Sequence, residues 1–408
     1  MATRIVIVGA GPAGITIAER LRQHGHTGPI NLVSGEPFPP YAPPAMADHF
    51  MTGGEGTLFW KGIDICERLD VDYHQGDGVE SLATNARQVR LAAGSILEYD
   101  KLVIATGSGL YAPVVGHDLA GVYNFKSLSA ARQLVEKVEA REIRYAVIVG
   151  AGFIGVELAL LLQGLGVAVT MIEMQDRLMP GMLEPETAAI VLEKVRERGI
   201  LVRLNTPAGA FLGEQAVVGV QLESGETLRA DAYIAATGVK PNIEWLDESG
   251  VATKWGVIVD NYLRTNVPNV YAAGDVAETR DRMTGQRYVH ANFPNAVAQA
   301  GVVASGLLGN DVPYDGAESM NSLKHLGVEV IAVGAQSGQE QLRMREGDSL
   351  RKIFLQDGHI VGFRLAGDIR GAGVYRSLML RGVDVTALGN RLLDARSGAA
   401  WFASAVAQ

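Results

Sequence analysis

Short apolar runs alternate along the chain with stretches whose apolar residues recur every three or four positions, and this alternation predicts an α/β fold. Residues 4–9 read as a buried strand, 12–24 as a helix and INLVS (30–34) as the next strand, with KLVIAT (101–106) as another. The pattern then restarts. It predicts a strand over 145–149, a helix over 153–165, the strand VAVTMIE (167–173), a helix over 185–198 and the strand YIAATG (233–238). After residue 255 come the short runs GVIVD and NVYAAGD, then a long apolar helix over about 295–308. From about residue 317, short strands alternate, and LRKIFLQDGHIVGFRLAG reads as a hairpin turning at Asp357-Gly358, followed by a last helix or two. One βαβ unit is duplicated, and the chain is no solenoid.

Each repeat opens with a G-x-G-x-x-G turn. Gly9, Gly11 and Gly14 form the first, enclosing Pro12 and Ala13; Gly150, Gly152 and Gly155 form the second, enclosing Phe153 and Ile154. The first glycine permits a tight strand-to-helix turn, and the second lets backbone approach a pyrophosphate. The third brings the helix onto the strand, and the helix N-terminus supplies positive partial charge. Both turns follow a buried strand, open a helix and precede a second strand with an acid near its end. That acid is Glu36 in the first repeat and Glu173 in the second. Two cradles predict two bound dinucleotides.

Composition narrows the classes. The 408 residues suffice for two or three domains, and 49 glycines without a collagen period belong in turns and phosphate loops. No apolar run reaches the roughly 18 residues of a membrane helix. The opening residues enter a strand directly, with no basic region or cleavage site ahead of it, and one cysteine, Cys66, excludes an intramolecular disulfide. A cytoplasmic protein is expected. The net charge of −9 argues against nucleic-acid binding. From residue 317 onward, however, eleven Lys and Arg face nine Asp and Glu.

These motifs, in this order, resemble the two-dinucleotide-binding flavoprotein family of glutathione reductase, lipoamide dehydrogenase and the ferredoxin and rubredoxin reductases. The resemblance spans nearly the whole chain. It implies two Rossmann-like three-layer domains and a small α+β C-terminal domain: an FAD domain over 1–112 and 241–316, an NAD domain over 113–240, and an interface domain over 317–408. YDKLVIATGS (99–108) and AYIAATGVKPN (232–242) resemble the two interdomain crossovers, which implies cofactor contacts at Ala105, Thr106, Gly107 and Gly238. TNVPNVYAAGDVAE (265–278) resembles the second FAD motif, so that Gly274 and Asp275 meet the flavin's ribityl chain. The helix that follows would aim its N-terminus, at Asn295 and Ala296, towards the isoalloxazine, where a positive dipole end stabilises the reduced form. Glu157, in GxGxxGxE, resembles the family's glutamate beside the nicotinamide and is the one catalytic candidate. At the second cradle Glu173 favours NADH, because a carboxylate accepts from a ribose 2′-hydroxyl and repels a 2′-phosphate, with Arg177 four residues on as the one opposing sign.

The disulfide reductases of this family carry C-x-x-x-x-C where this chain reads EPFPPYAPPAMADHF (36–50). Without a thiol there, electrons leave the flavin directly. That places the chain near the ferredoxin and rubredoxin reductases and the flavin part of NADH-dependent nitrite reductases, whose P-Y-x-R-x-x-L segment PY-x-x-P-x-M resembles, with Tyr41 beneath the flavin. The arginine usual after Pro-Tyr is absent, and Ala47-Asp48 stands for the Ser-Lys of ferredoxin reductases. Cys66 reads as a core residue of an amphipathic helix, Lys324 and His325 as surface or packing residues, and His290 as packed near the flavin. No metal site is expected. The implied enzyme is an FAD-dependent NADH oxidoreductase whose acceptor is a small rubredoxin-like or [2Fe-2S] protein, with no membrane partner and a homodimer admitted. An oxidase, a dye or quinone reductase, and a flavin-bearing regulatory or assembly protein stay open as alternatives. The basic balance of the C-terminal segment points to Arg343, Arg345, Arg370 and Arg376 as contacts for an acidic redox partner.

Overall fold

The computed structural model describes residues 3–394, and the end of the expected interface domain, 395–408, lies outside the described residues. It divides into two compact units. One holds the residues up to Tyr111 with Phe125–Val135 and Val239–Ala317; the other holds Ala112–Asn124, Glu136–Gly238 and the residues from Glu318 onward. The main helices are α1 (Pro12–Gln23), α2 (Leu128–Glu139), α3 (Phe153–Gly164), α4 (Pro185–Glu197) and α5 (Phe293–Leu307).

In the first unit a five-stranded parallel sheet runs in the order Val270–Ala272, Lys101–Ile104, Ile5–Val8, Ile30–Ser34, Asp72–Gln75. All four residues of the central strand Ile5–Val8 are buried, as a strand covered on both faces demands. In the second unit Leu201–Arg203, Ala168–Ile172, Tyr145–Val149 and Ala232–Ala235 match Asp72–Gln75, Ile30–Ser34, Ile5–Val8 and Lys101–Ile104 in relative order, and Val122–Tyr123, which precedes the repeat in the chain, takes the edge that Val270–Ala272 takes in the first. In both sheets the central strand carries the glycine turn. The duplication read from sequence is therefore one of topology as well as motif.

The α/β class holds, with element bounds within about three residues of the expected ones. Two features differ. Helix α2 was not among the expected elements, although Leu128, Ala131, Leu134, Val135 and Val138 form a buried stripe at helical spacing. The residues from Glu318 build their own five-stranded antiparallel sheet, as an α+β segment should, yet they group with 136–238. The cause is polar as well as apolar. Lys352 in this sheet is buried and bridges Glu184 and Glu186 at the start of α4 at 2.8 and 2.7 Å, and Gln336 donates to the Pro180 carbonyl at 3.1 Å. The hairpin turns at Asp357 and Gly358 as expected, both with positive φ, the geometry of a two-residue turn.

Small antiparallel sheets over 79–98 and 208–228 flank the two units and carry no motif. Within the segments read as crossovers, Ser108–Leu110 and Val239–Pro241 pair antiparallel, and Thr106 and Asn242 exchange two hydrogen bonds beside them, at 2.8 and 2.9 Å.

The glycines of the first turn divide their work unequally. A Cβ on Gly14 would lie 1.8 Å from the Gly9 carbonyl oxygen, whereas one on Gly11 meets nothing within 4 Å. Gly14→Ala is therefore expected to cost about 1–3 kcal/mol or more through overpacking. Gly11→Ala should cost less than about 1 kcal/mol, the range of a cap exchange. Thermal unfolding of the two variants checks this, and equal losses would refute the assignment.

Candidate functional site

The first cradle is built where Ile5–Val8 meets α1. Gly9, with φ of +115°, packs against the end of the neighbouring strand: an added Cβ would lie 2.0 Å from the Ala105 oxygen. That approach seats the first turn of α1 with its amides pointing out past Gly11, whose open face is the space a pyrophosphate requires. Helix α5 enters the same end of the sheet. Asn292 caps it by accepting from the Asn295 amide at 2.9 Å, and Gly274 lets it approach: a Cβ on Gly274 would stand 3.2 Å from Ala13 and 3.8 Å from Ala296. Gln299 accepts from the Gly274 amide at 2.7 Å and pins the turn that presents Asp275. Two helix N-termini thus converge on one place.

Asp275 accepts from Ser108 Oγ at 3.0 Å and from Lys126 Nζ at 3.1 Å, both on Oδ2, which leaves Oδ1 for a ligand hydroxyl. Ser108, Lys126 and Gln299 were not singled out from sequence. Lys126 had a signal: the S-L-S cap and apolar stripe of α2 begin just after it. Of the expected residues, Gly9, Gly11, Pro12, Ala13, Gly14, Ala105, Thr106, Gly107, Gly274, Asp275, Asn295 and Ala296 all lie at this end of the sheet.

Glu36 behaves otherwise. Its Oε1 accepts from the Ser129 amide at 3.2 Å and the Ser129 hydroxyl at 2.5 Å, and its Oε2 accepts from the Leu128 amide at 3.2 Å and from the Tyr41 hydroxyl. Burial, reinforced by the neighbouring carboxylate, holds Tyr41 protonated well above the ordinary phenol range, so it stays a donor.

The second cradle repeats the first. A Cβ on Gly150 would fall 2.5 Å from the Ala236 oxygen, one on Gly155 would fall 2.3 Å from the Gly150 oxygen, and Gly152 is open. Phe153 and Ile154 in its first turn are half-buried, as is Glu157, while Gly238 is exposed. Glu173, only 7% exposed, accepts from the Ala151 amide at 2.8 Å and the Gln175 amide at 2.9 Å. One lone pair on each of its oxygens remains for a ribose. Arg177 is occupied by the Leu183 carbonyl at 3.1 Å and Asp176 at 2.7 Å, so the opposing sign read at this position loses its force. The Met179 amide donates to the Ala151 carbonyl at 2.8 Å, tying the loop after Glu173 to the glycine turn.

Three sequence readings take a different form. Cys66 lies in a single helical turn, Ile65–Arg68, rather than a longer amphipathic helix, and it is buried. His290 bonds Asp281 at 3.0 Å and stacks on Tyr288, with Asp281 held far below the ordinary carboxylate range by its hydrogen bonds to His290 and Thr284 despite burial. The four C-terminal arginines are spent internally: Arg343 and Arg345 on Glu186, Arg370 on Asp368 and Arg376 on Glu318. These pairs reduce the free positive charge that the composition of the segment suggests. Among the described residues no helix is long and apolar enough to cross a membrane.

A family model described as pyridine nucleotide-disulphide oxidoreductase matches residues 3–300. The epsilon subunit of the NADH-dependent phenylglyoxylate dehydrogenase of Aromatoleum evansii is 30% identical over 403 residues, covering 96% of this chain and 94% of its own. The rubredoxin-NAD(+) reductase of Pseudomonas putida is 33% identical over 314 residues, 76% of this chain and 81% of its own. Among solved structures, the ferredoxin reductase for the CYP199A2 system of Rhodopseudomonas palustris superposes with a TM-score of 0.87 at 26% identity, covering 97% of this chain and 100% of that one.

Burial pushes the Cys66 thiol up to about 11. Two pH units above an ordinary thiol, its thiolate fraction at pH 8 falls about 100-fold, and alkylation follows the thiolate. Iodoacetamide is therefore expected to modify Cys66 in native protein about 100-fold more slowly than in unfolded protein, read by mass spectrometry. Comparable rates would mark it as a reactive thiol.

Proposed function

The chain belongs to the pyridine nucleotide-disulphide oxidoreductase family, and from that membership we propose an FAD-dependent NADH reductase that passes electrons from the flavin directly to a small redox protein of the rubredoxin or ferredoxin kind. The observation that carries this reading is the pair of glycine turns, each open at its second glycine, in a chain whose segment 36–50 holds no cysteine. The residues fit both cofactors. Gly9, Gly11 and Gly14 with the N-terminus of α1 would hold the FAD pyrophosphate, Asp275 a ribityl hydroxyl, and the positive ends of α1 and α5 would favour negative charge on the reduced flavin. Gly150, Gly152, Gly155 and Glu173 would hold NADH, with Glu157 near its nicotinamide. When bound, FAD supplies acceptance of a hydride and release of electrons singly, which a metal-centred protein acceptor requires. No residue of this chain has to act as base or nucleophile; its work is orientation, exclusion of water and electrostatic tuning.

A second reading is favoured by coverage. The phenylglyoxylate dehydrogenase subunit aligns along 94% of its length, so the acceptor is then a stably held partner subunit rather than a diffusing protein. Purification from native extract separates the two: a stoichiometric companion supports the subunit, and a lone or self-associated chain supports the diffusing acceptor. A cytoplasmic site and a homodimer belong to the main proposal, the first supported by the single cysteine.

Anaerobic mixing with NADH is expected to bleach the flavin absorbance rapidly, and an oxidised ferredoxin or rubredoxin to restore it. Slow reduction that persists in air would point to a switch instead. Glu173 is expected to give a preference for NADH over NADPH of about 10- to 100-fold in kcat/KM, and Glu173→Ala to narrow it. Equal steady-state rates with both nucleotides would overturn the assignment.

A further inference from the structure

Glu36 holds the position from which an acid would reach the adenosine ribose, but both of its carboxylate oxygens are already engaged by protein donors. An ionised carboxylate offers about four lone-pair directions. Two backbone amides and two hydroxyls fill them here, and three of these donors, the Leu128 and Ser129 amides and the Ser129 hydroxyl, belong to the first turn of α2. Those amides are among the donors a helix leaves without internal partners, and a carboxylate beside them also gains from the helix dipole.

The loop that follows Glu36 grips the same helix twice more. Tyr41 Oη shares the Leu128 N–H with Glu36, at 3.0 Å, and the Arg132 guanidinium sits 4.6 Å from the centre of the Phe38 ring. The loop is itself fixed: Tyr73 donates to the Phe38 carbonyl at 2.7 Å, and the Glu36 amide donates to Ser34 Oγ at 3.2 Å. Lys126, two residues before the clamped turn, is the side chain that reaches Asp275.

We propose that Glu36 is a positioning residue: it fastens the start of α2 to the first cradle and thereby sets the Lys126 ammonium on Asp275, and it is not the acceptor for the adenosine ribose. The inference rests on the reading of the first cradle as the FAD site. The ribose is left to other groups, and the charge of Glu36 acts on the cofactor only through α2 and Lys126.

The test has three readouts. Hydrogen exchange on the apoprotein needs no cofactor: Glu36→Gln should speed exchange at Leu128 and Ser129 at least about tenfold, and unchanged protection there would overturn the clamp. Apoprotein titration with FAD should show about tenfold weaker binding for Glu36→Gln, but less than about a twofold further loss when the substitution is made in Lys126→Met protein. Additive losses would break the link through Lys126. The third readout compares FAD with its 2′-deoxyadenosine analogue. The ratio of the two affinities should be the same in wild-type and Glu36→Gln protein, and a ratio that collapses towards one in the variant would return Glu36 to the ribose. Should Glu36→Gln fail to fold, Ser129→Ala keeps the charge, removes one donor, and should raise α2 exchange by a smaller factor. Wild-type protein that binds no FAD would defeat the flavin reading while leaving the exchange result intact.

Discussion

Everything in this molecule that bears on ligand binding depends on one steric constraint: a glycine Cα pressed onto the carbonyl oxygen of the adjacent parallel strand. Gly9 on Ala105 and Gly150 on Ala236 leave no room for a side chain. Each contact forces the chain to turn abruptly out of the sheet's central strand and directs the next helix back across it. The amides of that helix are then left without internal acceptors at the one spot where a phosphate can satisfy them. Because the four matched strands keep the same relative order in both units, the same constraint yields the same cradle twice.

The electrostatics around the two cradles follow different plans. At the second, a nearly buried Glu173 braces the glycine turn through the Ala151 amide, so in the proposed reading one carboxylate would serve both the loop and the nucleotide sugar. At the first, the work is split. Asp275 and Lys126 form a partly buried ion pair at the mouth, and Glu36 stands behind it as the anchor of α2. An exposed pair would contribute little, but the Lys126–Asp275 pair is about one-fifth exposed on each side chain and meets a helix N-terminus as well.

Much of this was legible in the chain because glycine spacing and buried-strand runs are local signals. The cradles, the Asp357-Gly358 turn and the positions of the parallel strands all followed from short windows. What escaped depends on long-range partners. Glu36 follows the second strand at the distance of a nucleotide-binding acid, and nothing within its window reveals α2, 92 residues away, as its hydrogen-bond partner. The surplus of C-terminal arginines suggested a docking face for the same reason: Glu186 and Glu318 pair with three of them from distant points in the chain. Helix α2 itself could have been found, since its stripe and its Ser127 cap are local; the Ser127 hydroxyl accepts from the Ala130 amide at 3.2 Å.

The burial of the only cysteine carries a consequence for the conditions under which such a reductase would operate. A dithiol enzyme of this fold is silenced when peroxide or an electrophile consumes its thiols, because its electron path runs through sulfur. Here the path proposed contains no sulfur, and the one thiol present is shielded and protonated. Oxidative stress would therefore leave this conduit open while thiol-dependent relatives in the same cell stall, and its throughput would track the supply of NADH instead of the thiol poise.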